Sequence, residues 1–527
     1  MGEPREGRTR IQQAPHQRGR RRWAVGLTAG ALLAANGAMA QPVVQVAEGR
    51  LAGREADGVS AFLGVPFAAP PVGANRWRAP VPVADWQGVR PAAQFAPSCS
   101  QGVAPGGFGP WTAEYVVQDP VAEDCLYLNV WAPAKRAGKR PVMVWIHGGA
   151  FMAGSGSVPI YEGAGLAAKD VVAVTINYRL GALGFLAHPD LTAEAGASGN
   201  YGLMDQVAAL RWIKRNIAAF GGDPDQVTIA GQSAGALSVL ALMEAPAAKG
   251  LFARAVAQSG AGLSMPTPPL AAVEPQGQAF AAAAGAKTLA ELRALPVEKL
   301  LAVSGPAPRF FPIRDGAVLP SKPGALADVP LITGLTADEG SAFNPRYGQA
   351  TAAAFQAQAR AQFGPAAERL LALYPAATDA QAGQAALSLA RDKGVAATLL
   401  WLETRAAGSR APAYAYIYDH PEPGPGADRF GAFHSSEIPY VFRTLDKAAR
   451  PFVEQDRALA ELMSTYWLNF VRHGDPNGAG VPAWAPYVAR GSDVMRLGQR
   501  PGVQGLGSEK LEIFRAYSRG GGPLSVF

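Results

Sequence analysis

The sequence predicts an α/β protein built on one mostly parallel β-sheet. From about residue 43 to 260, short β-branched runs alternate with helix-like stretches and Gly-rich turns. Those runs are apolar throughout, as strands buried on both faces are. Parallel neighbours need right-handed crossovers, and the intervening helical stretches supply them.

The clearest strands are expected at Pro141–Ile146, Val171–Ile176, Val227–Ala230 and around Ala253, Ala255 and Ala257. A helix is expected over Asp205–Ala219, where Val207, Leu210, Ile213 and Ile217 recur at spacings of three and four. Between roughly 265 and 410 the chain turns Ala-rich and helical, broken by Pro-rich turns around 266–269 and 305–312 and by one apolar strand, Pro330–Leu335. This stretch reads as helices laid over the sheet plus one returning strand, because no flexible linker marks a boundary. The tail opens with the alternating strand Ala413–Tyr418, continues in a helix over Val453–Arg472 and closes in a Gly/Pro-rich ending. The expected organisation is a leader over residues 1–40 and one domain over 41–527.

A net charge of +7 raises the question of a polyanionic partner, and its distribution answers it. Seven arginines against Glu3 and Glu6 give the first 40 residues most of that excess, leaving 41 basic and 39 acidic groups in the rest. A nearly neutral body carries no electrostatic footprint for nucleic acid. The basic run Arg18–Arg22, the apolar stretch Trp23–Ala35 and Ala38-Met39-Ala40 before Gln41 form the n-region, h-region and cleavage site of a secretory signal peptide. The apolar stretch is short for a membrane span, so no stable membrane insertion is expected after cleavage near Gln41. The consecutive arginines leave general secretion and twin-arginine export both open. The expected location is periplasmic or secreted. In an exported chain the two cysteines, Cys99 and Cys125, are expected to pair, and two cysteines alone cannot make a four-ligand zinc site. Neither a metal nor an organic cofactor is expected.

The strand Val227–Ala230 runs directly into Gly231-Gln232-Ser233-Ala234-Gly235 and then into helix-compatible Ala236–Leu240. G-x-S-x-G in that strand, turn and helix context is a nucleophile elbow, with Ser233 as the candidate nucleophile. A sharp turn brings backbones close on both sides, which is why the flanking positions are glycine. Upstream, Ile146-His147-Gly148-Gly149-Ala150-Phe151 follows another apolar strand. Such a turn aims backbone N–H groups at a developing oxyanion, so Gly149, Ala150 and Ala234 are the candidate donors.

Glu123–Val130, His147–Phe151, Asn177–Gly181, Asn200–Gln206 and Phe220–Pro224, together with the elbow, resemble the type-B carboxylesterase family, which includes the cholinesterases. The resemblance extends over nearly the whole chain beyond the leader. It implies an α/β-hydrolase fold with helical insertions over the active site, a small-molecule carboxylic ester as substrate, and a triad whose acid is usually Glu. The triad order in that fold is Ser, acid, His, which sets aside His16, His147 and His188 and leaves His420, His434 and His473. The segment Gly431–Phe442 resembles the family's histidine loop and points to His434 as base. Many carboxylates lie between Ser233 and His434. Thr336–Ser341 emerges just beyond the Pro330–Leu335 strand and resembles the family's acid loop, which places Glu339 against the imidazole, with Asp338 as the alternative.

The stretch Arg309–Gly316 aligns with a family segment that can line the acyl pocket. Phe310 is there a candidate limit on acyl size, with core packing the alternative. Arg314 stands where the family carries a small or apolar residue, which suggests an anionic group on the substrate. Trp111 and Tyr115, between the cysteines, are candidates to stack on a substrate or to pack on the core. Neither falls on the cholinesterases' choline-binding tryptophan, so choline esters are not expected. The expected activity is hydrolysis of esters with short to medium acyl groups or bulky alcohols; a lipase or an enzyme for one specialised ester remains an alternative. A catalytically silent binding protein on this fold is disfavoured by the presence of Ser233, Glu339 and His434 together.

Overall fold

Valine, isoleucine and alanine fill the strand cores, and they assemble as their lack of a polar face requires, between helices. A computed structural model describes residues 41–135, 138–262, 267–304 and 310–524; the expected leader lies outside them. Eleven strands make the main sheet: β1 (Arg54–Ala56), β2 (Val59–Pro66), β3 (Tyr127–Pro133), β4 (Arg140–Ile146), β5 (Val172–Ile176), β6 (Gly222–Gln232), β7 (Arg254–Gln258), β8 (Leu331–Thr336), β9 (Ala413–Tyr418), β10 (Asp493–Leu497) and β11 (Gly502–Gly505). Their spatial order is β11-β10-β9-β8-β7-β6-β4-β5-β3-β2-β1. The seven strands from β5 through β4 and β6 to β10 run parallel, and antiparallel strands close both edges.

That arrangement decides where chemistry can occur. Because β4, β6, β7, β8 and β9 are parallel, their carboxyl ends share one edge of the sheet, the place where ligands bind in open α/β folds. The segments leaving those ends carry His147, Ser233, Ser259, Glu339 and His434.

The helices follow their sequence signals. Helix α1 (Tyr201–Asn216) buries Val207, Leu210 and Ile213, the stripe its spacing foretold. Helix α2 (Ala234–Glu244) follows the elbow directly. Within the Ala-rich region lies α3 (Asp379–Ala406), started by a capping box in which Thr378 Oγ1 accepts from the Gln381 N–H and Gln381 Oε1 accepts from the Thr378 N–H. Helix α4 (Glu454–His473) starts where Asp456 accepts from the Val453 N–H at 2.8 Å and stops at Gly474, whose φ of 75° suits only a residue without Cβ strain.

Two expectations need correcting. The Gly/Pro-rich ending holds β10, β11 and a helix over Ser508–Arg519. The edge strand β11 is four residues with glycine at both ends, and β10 beside it carries Asp493 and Arg496, so neither has the apolar run that marks a central strand. Strand β9 alternates Ala with Tyr yet is buried on both faces: Tyr416 packs edge-on to Trp467 of α4 at 5.3 Å. Its alternation is one of size, not of exposure.

Cys99 and Cys125 form a disulfide that closes the loop carrying Trp111 and Tyr115. Closing a loop of that length stabilises the fold by about 3–4 kcal/mol in the chain-entropy account. Residues from Gln41 onward form one compact unit. Among the described residues no helix is long and apolar enough to cross a membrane.

Candidate active site

Strand β6 delivers Ser233 into a backbone conformation of φ 59° and ψ −126°, uncommon for any residue but glycine. The turn is held from both sides. A Cβ on Gly235 would lie 2.0 Å from the Ile146 carbonyl oxygen, and one on Gly231 would lie 2.5 Å from the Gly235 carbonyl. Both positions are therefore closed to every other residue. The Ser233 N–H donates to the Gln258 carbonyl at 2.9 Å, tying the elbow to β7.

Beside it, the turn after β4 has φ of 102° at Gly149, 55° at Ala150 and 57° at Phe151. Gly149 O accepts from the N–H groups of Met152 and Ala153, both at 2.9 Å, and a Cβ on Gly149 would stand 2.1 Å from the Ala153 oxygen. The turn thus exposes the Gly149 and Ala150 backbone to the cavity that Ser233 also lines. The Ala234 N–H opens α2 and has no intrahelical acceptor. His147 is a prop for this turn: its Nδ1–H donates to Gly148 O at 2.8 Å and its ring stacks on Tyr178 at 4.4 Å. Burial pushes its pKa down to about 4, so it is neutral at working pH.

Across the cavity, His434 Nδ1 is hydrogen-bonded to Glu339 Oε2. Glu339 Oε1 accepts from the Ser259 hydroxyl at 2.5 Å and from the Thr336 N–H at 2.9 Å, so the carboxylate cannot swing away. With a carboxylate at Nδ1, that nitrogen carries the proton and Nε2 is left to accept one. His434 lines the same cavity as Ser233, about 280 Å³ in volume.

The profile of the carboxylesterase family matches residues 40–514. The chain belongs to the carboxylesterase family. A fumonisin B1 esterase from Sphingopyxis macrogoltabida is 38% identical over 487 residues, covering 87% of each chain. A para-nitrobenzyl esterase from Bacillus subtilis (strain 168) is 36% identical over 478 residues, covering 85% of this chain and 93% of that one. A solved structure of PNB esterase matches with a TM-score of 0.74 at 32% identity, over 90% of this chain and 99% of that chain.

In this carboxylesterase the two candidate acids have separate places. Asp338 turns away from the imidazole: it accepts from the Ala432 N–H at 3.0 Å and pairs with Arg391 at 2.9 Å. A Cβ on Gly431 would meet its carboxylate at 2.2 Å. Asp338 fastens the histidine loop to the acid loop, and Glu339 faces the ring. His420 sits elsewhere, its Nε2 2.7 Å from Asp456.

The two substrate-pocket residues expected from sequence are not in the cavity. Phe310 is buried edge-on to Phe280 at 5.4 Å and takes the packing role. Arg314 is held by both oxygens of Glu244, at 2.8 and 3.1 Å, and by Pro320 O at 3.0 Å. A guanidinium already neutralised by a carboxylate is not available to a substrate anion, so Arg314 loses that assignment. Phe310 thus takes the alternative open to it, and the pairing of Arg314 escapes sequence reading because Glu244 is distant along the chain.

Trp111 and Tyr115 do line the cavity. The Trp111 indole N–H donates to the His434 carbonyl at 3.0 Å. The Tyr115 hydroxyl donates to Glu422, and Arg450 locks the loop by donating to Pro110 O at 2.7 Å, Thr112 Oγ1 at 2.8 Å and Glu114 Oε1 at 2.9 Å. The loop is therefore anchored as a wall of the cavity.

Three further residues touch the centre without a sequence signal of their own. Ser259 anchors Glu339. Gln232, inside the elbow, places its amide nitrogen 3.1 Å from His434 Nε2 while its oxygen accepts from Ser435 at 3.1 Å. Glu437, fully buried, receives one hydrogen bond from Gln258 Nε2 at 3.0 Å, and its second oxygen has no partner. Burial, reinforced by nearby Glu339, pushes the Glu437 carboxyl up to about 7. Among the described residues no cluster of His, Cys, Asp or Glu suits a metal ion.

The Glu437 shift carries a pH dependence. A carboxyl whose folded pKa is raised from 4.5 to about 7 stabilises the fold fully below 4.5 and loses that contribution as pH rises to 7. Glu437→Gln keeps the shape without the titration. The melting-temperature difference, wild type minus variant, is expected to shrink steadily from pH 4.5 to 7.5; a difference constant with pH would show that Glu437 is ionised throughout.

Proposed function

We propose that this carboxylesterase hydrolyses carboxylic esters through an acyl-enzyme on Ser233. The observation that carries the reading is the Glu339–His434 pair opening onto the cavity that holds Ser233 and the Gly149–Ala150 turn. In the first half-reaction the Ser233 Oγ attacks the ester carbonyl carbon while His434 Nε2 takes its proton. The charge that develops on the carbonyl oxygen is met by the N–H groups of Gly149, Ala150 and Ala234, each such donor contributing about 3–4 kcal/mol to the transition state. The C–O bond breaks as His434 returns the proton to the departing alcohol. Water then repeats the sequence and releases the acid. Glu339 holds the tautomer and stabilises the imidazolium without taking the proton.

The cavity is walled by Phe108, Trp111, Val116, Val158 and Phe343, and at about 280 Å³ it suits a short to medium acyl group or a compact alcohol more than a long lipid chain. The likeness to a fumonisin B1 esterase and a para-nitrobenzyl esterase supports ester hydrolysis. Export is part of the same proposal, supported by the leader-like sequence of residues 1–40 and by the disulfide.

The test is a p-nitrophenyl ester series from acetate to long chains, run beside labelling with a fluorophosphonate. Turnover that falls with chain length and one label on Ser233 are expected. A folded protein that neither turns over any ester nor takes the label would end the reading in favour of a silent binding protein.

A further inference from the structure

Beside the exposed Phe343 the protein has a second, larger cleft of about 590 Å³, open to solvent. Phe343 lines both cavities, and its ring stands edge-on to His434 at 5.8 Å. The second cavity begins at Gly340, the residue after Glu339, and runs under α3. A ligand in it is thus next door to the reacting centre.

Its lining is cationic and amide-rich. Lys393 and Arg346 supply the charges, Asn344, Gln349, Gln358 and Gln362 supply amide groups, and no carboxylate is among the described residues that line it. The run Arg391-Asp392-Lys393 on α3 shows how this arises. Arg391 is neutralised by Asp338 at 2.9 Å, and Asp392 by Lys510 at 2.6 Å. Lys393, half-buried, pairs with no acid among the described residues. Its burial without a counter-charge lowers its pKa from the ordinary lysine value. A half-buried ammonium with no partner is costly to hold, and a carboxylate supplied by a ligand would remove that cost.

We propose that the Lys393 cavity is a subsite for a carboxylate carried by the substrate, so that the preferred esters bear a free acid group spaced to reach past Phe343 while the ester carbonyl sits at Ser233. This rests on the ester-hydrolase reading and adds its substrate class. It also returns to the anionic substrate suggested by Arg314, at a different residue whose charge no acid among the described residues pairs.

The experiment compares monoethyl with diethyl esters of α,ω-dicarboxylic acids of increasing length, and ω-acetoxy acids with their methyl esters, so that the acid group is carried on either side of the scissile bond. Hydrolysis is followed by pH-stat. Within one of the two series the charged ester is expected to have the higher kcat/KM at a particular spacing. In Lys393→Met that charged-to-neutral ratio is expected to fall about ten- to a hundredfold, the worth of one charge-assisted hydrogen bond. Lys393→Arg is expected to retain most of the ratio. Because the ratio is read within each variant, general damage to folding cancels. Neutral esters turned over with no Lys393-dependent preference at any spacing would overturn the subsite alone. No ester turned over, charged or neutral, would overturn the hydrolase reading and the subsite with it.

Discussion

Ser233→Ala is expected to cut kcat for any accepted ester by about a millionfold, the usual scale for loss of the nucleophile from such a triad. Stability should hardly move. Alanine takes the same position with the same Cβ, so the φ of 59° is neither relieved nor worsened, and the Ser233 N–H still donates to Gln258 O. The measurement pairs kcat with a thermal melt, and the expected result is a dead enzyme that melts within a few degrees of wild type. The informative failure is specific. Ser435 lines the same cavity, with its hydroxyl donating to Gln232. Substantial activity in Ser233→Ala that vanishes on further Ser435→Ala would transfer the nucleophile to the histidine loop. Both backbones have positive φ, but Ser233 is favoured because it stands at the strand–turn–helix elbow between two glycines that admit no Cβ, whereas the Ser435 hydroxyl is engaged by Gln232.

Local chemistry was legible in the sequence and long-range partnership was not. The elbow could be read because its motif is contiguous, G-x-S-x-G between a strand and a helix, although the clash that closes Gly235 comes from Ile146 on another strand. His434 needed family resemblance, since order alone left three histidines. Packing was the open alternative for Phe310, whereas the pairing of Arg314 was not legible because the side chain that claims it, Glu244, lies 70 residues upstream. Ser259 and Lys393 had no motif, and Glu437 lay in the histidine-loop segment with nothing to single it out. Their importance comes from parallel strand ends converging on one edge and from a helix laid over it, and single-residue patterns do not encode that convergence. The central strands emerged within a residue or two at most ends because both faces are apolar. The edge strand β11 and its neighbour β10 were missed because strands this close to an edge need no such run.

The choice between Asp338 and Glu339 yields the other large effect. In Glu339→Gln, the Ser259 hydroxyl and the Thr336 N–H both still demand an acceptor at the position of Oε1, so the amide oxygen must lie there. The amide nitrogen then faces His434 Nδ1 and donates to it. An imidazole that accepts at Nδ1 carries its proton on Nε2, where it cannot take the proton of Ser233. A wrong tautomer of this kind costs about 10⁴ in kcat. Asp338→Asn meets a different environment: it weakens the pair with the partly exposed Arg391 and the bond from Ala432 N–H, for a loss of about 1–3 kcal/mol in stability. Its kcat below the melting temperature is expected to stay within tenfold of wild type. Measuring kcat and melting temperature for both variants separates a group that sets the proton's position from one that holds two loops together. If Asp338→Asn lost the greater share of kcat while remaining folded, the acid would be Asp338 and the Glu339–His434 bond a packing contact.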